Sequence, residues 1–178
     1  MAHPASSKPD LAALWAAHCA QEFESKDAAA TLATMSGAPY VNHVPTLTGG
    51  CGREGLLRFY ATHFIPCNPP DLQLTRISLT VGESSVVEEM VLRFTHTCAM
   101  SWLLPGVAPT GKPVAVALVA IVHFEGDKVA SEHIYWDQAS VLVQLGLLPA
   151  AGLPVAGAAA ARKALDRTAE PSNALMRE

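Results

Sequence analysis

Basic residues are scarce in this chain: Lys and Arg number 12 against 16 Asp and Glu, a formal net charge of −4, with no basic cluster. Such a surface offers no electrostatic footprint for a polyanion, so no nucleic-acid partner is expected. Long apolar runs are missing too; none reaches the roughly 20 residues that cross a bilayer, and no membrane partner is expected. The opening residues, Met1 to Asp10, lack the basic-then-apolar order of a secretory signal, which makes a cytoplasmic protein the expectation. Cys19, Cys51, Cys67 and Cys98 are widely spaced with no C-x-x-C pair, so they read as reduced thiols rather than a zinc or redox motif. There is no Gly-rich nucleotide fingerprint, no G-x-S-x-G elbow and no H-E-x-x-H pair, which disfavours several enzyme classes at once.

Apolar residues make up 50% of the 178 positions and charged ones 16%, a composition that excludes disorder and permits one domain with a real core. Residues 1–10 read as a flexible tail, 11–148 as the folded domain, and 149–178 as an extension suited to packing on a partner subunit. Leu11, Leu14, Trp15, His18, Cys19 and Phe23 follow a helical stripe. Asp27 suits the cap of a second, Ala-rich helix running through Met35, and Gly37 and Pro39 end it. Tyr40 to Val44 is β-prone, Thr48 to Gly52 reads as a turn, and Leu56, Phe59, Tyr60, His63 and Phe64 mark a third helix. Strands are then expected over Leu72–Val81, Val86–Trp102, Val114–Phe124 and Val129–Trp136, with short connections that imply antiparallel neighbours. The second of these is too long to stay flat and calls for a bend or bulge, which would make one face concave. A final short helix is expected over Ala158–Leu165.

The stretch from Glu132 to Leu148 draws most attention, because a polar, aromatic strand runs there into an apolar helix. Strand period puts His133, Tyr135 and Asp137 on one face and Glu132, Ile134 and Trp136 on the other. The first face gathers an imidazole, a phenol and a carboxylate. Asp137 equally suits a helix N-cap, and the two roles can coexist. His43, His63 and His96 are candidates to extend a pocket, with Trp102 and the Met90 and Met100 side chains as wall or core. Glu88 and Glu89 read as one pocket carboxylate and one solvated one.

The order helix, helix, strand, helix and four-strand antiparallel sheet resembles the cone-shaped α+β fold of the nuclear transport factor 2-like (NTF2-like) superfamily, a curved sheet wrapped around N-terminal helices. Within it the chain is similar to the SnoaL-like polyketide cyclases, most clearly over residues 40–148. The phrases that carry the likeness are Tyr40-Val-Asn-His-Val-Pro, Phe94-Thr-His-Thr, Leu104-Pro-Gly, Pro109-Thr-Gly-Lys and Glu132-His-Ile-Tyr-Trp-Asp-Gln-Ala-Ser-Val-Leu. The resemblance implies an Asp acid/base at the end of the last strand, matched by Asp137, and a His on the preceding strand, matched by His123. Tyr40-Val41-Asn42 resembles the water-holding pair of limonene epoxide hydrolases, but their Arg-x-Asp partner is missing, since Arg93-Phe94 is followed by Thr95.

These readings converge on a small-molecule enzyme of the cyclase, isomerase or lyase kind, working on an apolar or aromatic organic substrate. Asp137, His123 and His133 are the expected catalytic groups, and Tyr40, Asn42, His43, His63, His96, Trp102 and Tyr135 the expected substrate contacts. The chemistry needs a carboxylate whose pKa an apolar surround raises, with an imidazole to relay the proton. A hydrolase of an ester, lactone or epoxide is the leading alternative, and a non-catalytic ligand-binding protein the third reading. Seven histidines with Asp137 also offer ligands for zinc or iron, but their spacings match no metal motif, so neither metal nor cofactor is expected. A homodimer through the outer sheet face is expected.

Overall fold

In the computed structural model, which describes residues 8–176, six strands form one curved sheet in the order β2-β1-β6-β5-β4-β3. Helix α1 (Leu11–Phe23) starts where Asp10 accepts a hydrogen bond from the Ala13 N–H, and α2 (Ala28–Ala33) starts where Asp27 accepts from Ala29 and Ala30. Strand β1 (Met35–His43) and β2 (Thr48–Cys51) form a hairpin, followed by α3 (Gly52–Phe59), which continues through a π turn at Tyr60–Phe64. Strands β3 (Gln73–Val81), β4 (Ser85–Thr95), β5 (Pro113–Glu125) and β6 (Lys128–Trp136) make the antiparallel body of the sheet. Helices α4 (Gln138–Leu145) and α5 (Ala158–Leu165) follow, and α5 packs against β5 and β4 of its own chain.

The sheet's inner face can be read from burial. On β5, Val114, Val116, Leu118, Ala120, Val122 and Phe124 are buried while the intervening residues reach the surface. Glu88, Met90, Leu92 and Phe94 of β4 share that face, as do Glu132, Ile134 and Trp136 of β6 and Val41 and His43 of β1. Helices α1 and α3 close over it, burying Leu11, Trp15, Leu56 and Phe59. Each large apolar side chain moved out of water there contributes roughly 1.5–3 kcal/mol.

Three sequence expectations are corrected. The second helix stops at Ala33, because the Thr34 hydroxyl donates to the Thr31 carbonyl and Met35 already pairs with Val129 on β6. Strand β1 therefore runs through Gly37 and Pro39, with its register shifting between Met35 and Tyr40, and it pairs with β6 in parallel. Thr48 to Cys51 is a strand rather than a turn, pairing antiparallel with Tyr40 to His43. Strand β4 ends at Thr95, whose N–H the Asp71 carboxylate accepts; the expected continuation to Trp102 is a loop. Met100, Trp102, Leu103 and Leu104 on that loop are buried, and the backbone at Trp102 and Leu103 is held by three side-chain donors. Thr46 and Thr48 both donate to the Trp102 carbonyl at 2.8 Å, and Gln138 donates to that of Leu103 at 3.0 Å.

Candidate active site

A cavity of about 300 Å³ lies between the inner face of the sheet, helix α1 and the π turn that follows α3. Val41, Met90, Leu92, Leu118, Ala120 and Ile134 form its aliphatic wall, and Trp15, Phe23, Tyr60, Phe64 and Trp102 its aromatic one. Three carboxylates, Glu22, Glu88 and Glu132, reach into this apolar space, and all three are buried. Burying a carboxylate is costly without partners, so the arrangement of those partners defines the site.

Glu132 and Glu22 converge on His18. Its Nε2 lies 3.2 Å from Glu22 Oε1, one helical turn along α1, and 3.2 Å from Glu132 Oε1 on β6. On the other side of the ring, Nδ1 is 2.5 Å from the Thr34 hydroxyl. That hydroxyl already donates to the Thr31 carbonyl at 2.6 Å, so it accepts from the imidazole and Nδ1 carries a proton. The Tyr60 hydroxyl donates to Glu132 Oε1 at 3.3 Å, and the imidazole stacks on Trp15 with centroids 5.4 Å apart. Burial works to lower the His18 pKa, but the charges of Glu132 and Glu22 outweigh it and raise the value to about 10. Burial pushes the Glu22 carboxyl up, against the opposing pull of His18. Burial, then the charges of Glu132 and Glu22, pushes the Tyr60 phenol well above its ordinary value. The group thus holds an imidazolium, a protonation-prone carboxyl and a neutral phenol within one hydrogen-bonded set.

Glu88 sits in a second set. Trp15 Nε1 donates to its Oε2 at 2.5 Å, and Arg76 on β3 pairs with its Oε1. Arg76 is half exposed, so this pair stands at the rim while Glu88 reaches inward. His43 is the remaining polar group on the wall: its Nδ1 is buried with no hydrogen-bond partner, amid the rings of Phe59, Phe64, Trp102 and Trp136. Burial lowers its pKa to about 4, so it is a neutral imidazole facing an aromatic space. Cys19 also lines the cavity, and burial keeps its thiol protonated.

Of the residues expected from the sequence, His43 and Trp102 line this cavity. The expectation that Asp137, His133 and Tyr135 face the pocket is corrected. Asp137 is exposed and caps α4, accepting from Ser140 N at 3.1 Å and from the Ser140 hydroxyl at 2.6 Å. Tyr135 is 42% exposed, and His133 packs edge-on against Tyr40 on the outer face with centroids 5.5 Å apart. Asn42 is opposite His133 in the β1–β6 register, on that same outer side. His123 alternates with buried Val122 and Phe124 and is exposed. His63 is exposed, its ring 3.4 Å from the Ser101 hydroxyl. His96 is fully buried but stands outside the cavity lining, with Nδ1 accepting from the Thr110 N–H at 3.3 Å. The physical reason for the reversal on β6 is that Ile134 and Trp136 are the larger apolar residues. They select the inner face, and Glu132 goes in with them. His18 and Glu22 had a sequence signal as well, an i,i+4 polar pair inside the apolar stripe of α1.

A curved sheet closed by helices around an apolar, carboxylate-bearing cavity is the NTF2-like or ketosteroid isomerase-like fold. The sequence model for the SnoaL-like polyketide cyclase domain matches residues 14–145, and the chain belongs to that family. No curated protein matches. Among solved structures, one from Jannaschia sp. CCS1 named as a SnoaL-like polyketide cyclase is similar at a TM-score of 0.58 and 19% identity, covering 83% of this chain and 100% of that one. AclR from Streptomyces galilaeus, named as a hydroxylase, gives 0.55 and 22%, covering 78% and 85%. A Catenulispora acidiphila protein with a ketosteroid isomerase-like fold, solved with trimethylamine, gives 0.56 and 19%, covering 80% and 96%. Among the described residues, no helix is long and apolar enough to cross a membrane.

Proposed function

We propose that the protein is a cyclase- or isomerase-type enzyme that moves a proton on a small, largely apolar ring substrate, with Glu132 as the base. The observation that supports this reading is the pair of buried carboxylates, Glu132 and Glu22, meeting at His18 on the wall of an otherwise apolar cavity. A carboxylate in such surroundings, backed by an imidazole, can take a proton from carbon next to a carbonyl and return it elsewhere. The negative charge that develops on the carbonyl oxygen needs donors, and the Tyr60 hydroxyl and a protonated Glu22 are of the right type. Neutral His43, with its unpartnered Nδ1, suits a hydrogen bond to a polar atom of the substrate. Trp102, Phe64 and Trp15 suit a flat ring system, and the cavity volume lies at the small end for ligand pockets. The reading calls on no cofactor, and it moves the acid/base role from Asp137, His123 and His133 to residues of the inner face.

The test is solvent deuterium exchange into a bicyclic β-keto ester probe, such as an indanone carboxylate ester, followed by mass spectrometry. The wild type should accelerate exchange, and Glu132→Gln, which keeps shape and removes the base, should lower the rate about 10²–10⁴-fold. Undiminished exchange in Glu132→Gln would remove Glu132 from the reaction.

A further inference from the structure

Three donors of different origin meet at the base of the cavity: His18 Nε2 and a Glu22 oxygen from one face of α1, and a Glu132 oxygen from β6. All three lie within 4.8 Å of one another, and all three residues are buried. From this convergence we infer that His18, Glu22 and Glu132 form a binding site for a divalent transition-metal cation of the zinc class.

The distances leave room for a cation in place of the shared proton. Charge-assisted N–H···O contacts between an imidazolium and a carboxylate settle at about 2.7–2.9 Å. Here both Nε2 to oxygen separations are 3.2 Å. A single N–H serves both carboxylates only as a shared, bent three-centre hydrogen bond, whereas a cation between the three groups binds them all. Bonds of about 2.0–2.1 Å in tetrahedral geometry separate ligand atoms by about 3.3 Å, close to what is seen. The imidazole is also braced as a metal-bound ring is: Nδ1 donates to the Thr34 hydroxyl, which orients the ring so that Nε2, once it loses its proton, is the ligating atom beside the two carboxylates. Binding displaces the Nε2 proton of His18 and any proton held by Glu22 into solvent; the two carboxylates and the then neutral imidazole balance a doubly charged ion, and a His/Glu/Glu donor set matches the preferences of zinc. Glu22, Glu132 and Tyr60 line the cavity while His18 lies behind them, so the free coordination position opens toward the ligand space. A cation held there engages the Glu132 lone pair, which makes it an inhibitor of proton transfer through that residue.

The experiment uses the full chain, freed of metal by chelator and then titrated with Zn²⁺ by calorimetry and with Co²⁺ by visible absorption. One equivalent per chain should bind, with a Co²⁺ spectrum of nitrogen and oxygen ligation and no thiolate charge-transfer band. Affinity should fall at least about tenfold in Glu22→Gln and in His18→Gln, and it should be unchanged in Cys19→Ala and His133→Ala, which carry the nearest thiol and an outer-face imidazole. Circular dichroism establishes that each variant is folded; should His18→Gln not fold, the near-isosteric Glu22→Gln and X-ray absorption of the zinc-loaded wild type decide. No stoichiometric binding to the folded wild type would overturn the site, as would sulfur ligation or affinity insensitive to Glu22→Gln. Deuterium exchange measured on the metal-free wild type and on Glu132→Gln bears on the proposed reaction alone, so either conclusion can fail without the other.

Discussion

At the scale of single residues, the site turns on which carboxylates are buried and what meets them. Asp137 has the chemistry of a catalytic acid, but its oxygens are taken up by the Ser140 N–H and hydroxyl at the start of α4. Those bonds cap the helix. Asp137→Ala should cost about 1 kcal/mol, read as a lower melting temperature, and leave deuterium exchange into the keto-ester probe unchanged. A large loss of exchange with little loss of stability would return Asp137 to the reaction. Glu132 occupies the adjacent stretch of β6 with the opposite outcome, 3% exposed and facing His18 and Tyr60. The two residues are five positions apart, and the direction of the side chain separates a helix cap from a carboxylate on the cavity wall.

At the scale of elements, the hairpin of β1 and β2 carries His43 and anchors the loop that brings Trp102 to the cavity. Thr46 and Thr48 hold that loop through its Trp102 carbonyl, and Trp102 Nε1 donates to Asn68 at 2.9 Å. The hairpin depends on Gly49, whose φ is +133° and whose added Cβ would stand 2.1 Å from the Val41 carbonyl oxygen. That oxygen is backbone on the paired strand and has nowhere to move. Gly49→Ala should therefore destabilise the fold by about 2–4 kcal/mol and loosen the Trp102 loop, measured as a shifted tryptophan fluorescence spectrum and a lower denaturation midpoint. A midpoint equal to wild type would show that the hairpin tolerates a side chain there. The C-terminal α5 belongs to the same scale: expected as part of an extension suited to a partner subunit, it lies against β5 and β4 of its own chain, with Ala161 fully buried.

At the scale of the whole molecule, the buried ionisable set links stability to pH. In the metal-free protein the folded state holds the His18 proton more tightly than the unfolded chain, with a pKa of about 10 against an ordinary 6.5. A pKa raised by folding means that the stabilisation is complete below the unfolded value and is lost as pH rises through the folded one. Glu22, also raised, acts with the same sign. Stability should accordingly fall between about pH 7 and pH 10, with a slope of at most about 1.4 kcal/mol per pH unit for one proton. Taking the difference between wild type and His18→Gln in urea unfolding isolates this contribution from the other lysines and tyrosines that titrate in the range. A flat difference would show that His18 is not held as the imidazolium.

Much of the architecture was legible in the residues themselves. The helical stripe from Leu11 to Phe23, the Asp27 cap, the Ala158–Leu165 helix and the alternation along Val114–Phe124 are local patterns, because side-chain period and capping need only neighbours a few positions away. Glu88 as a buried carboxylate beside a more exposed Glu89 was also legible, since Met90, Leu92 and Phe94 fix the apolar side of β4. Tertiary structure decided the rest. Whether Gly49 and Gly50 form a turn or a strand depended on β1 being there to pair with them, and the departure of the chain from β4 at Thr95 depended on Asp71 waiting to accept its N–H. The face of β6 that becomes the cavity wall was set by the burial of Ile134 and Trp136 against helices far away in sequence, which carried Glu132 inward and left His133, Tyr135 and Asp137 outside. His18 and Glu132 lie 114 positions apart, and no local rule brings them together; a carboxylate and an imidazole meet there only because a helix is laid across a sheet and water is removed between them.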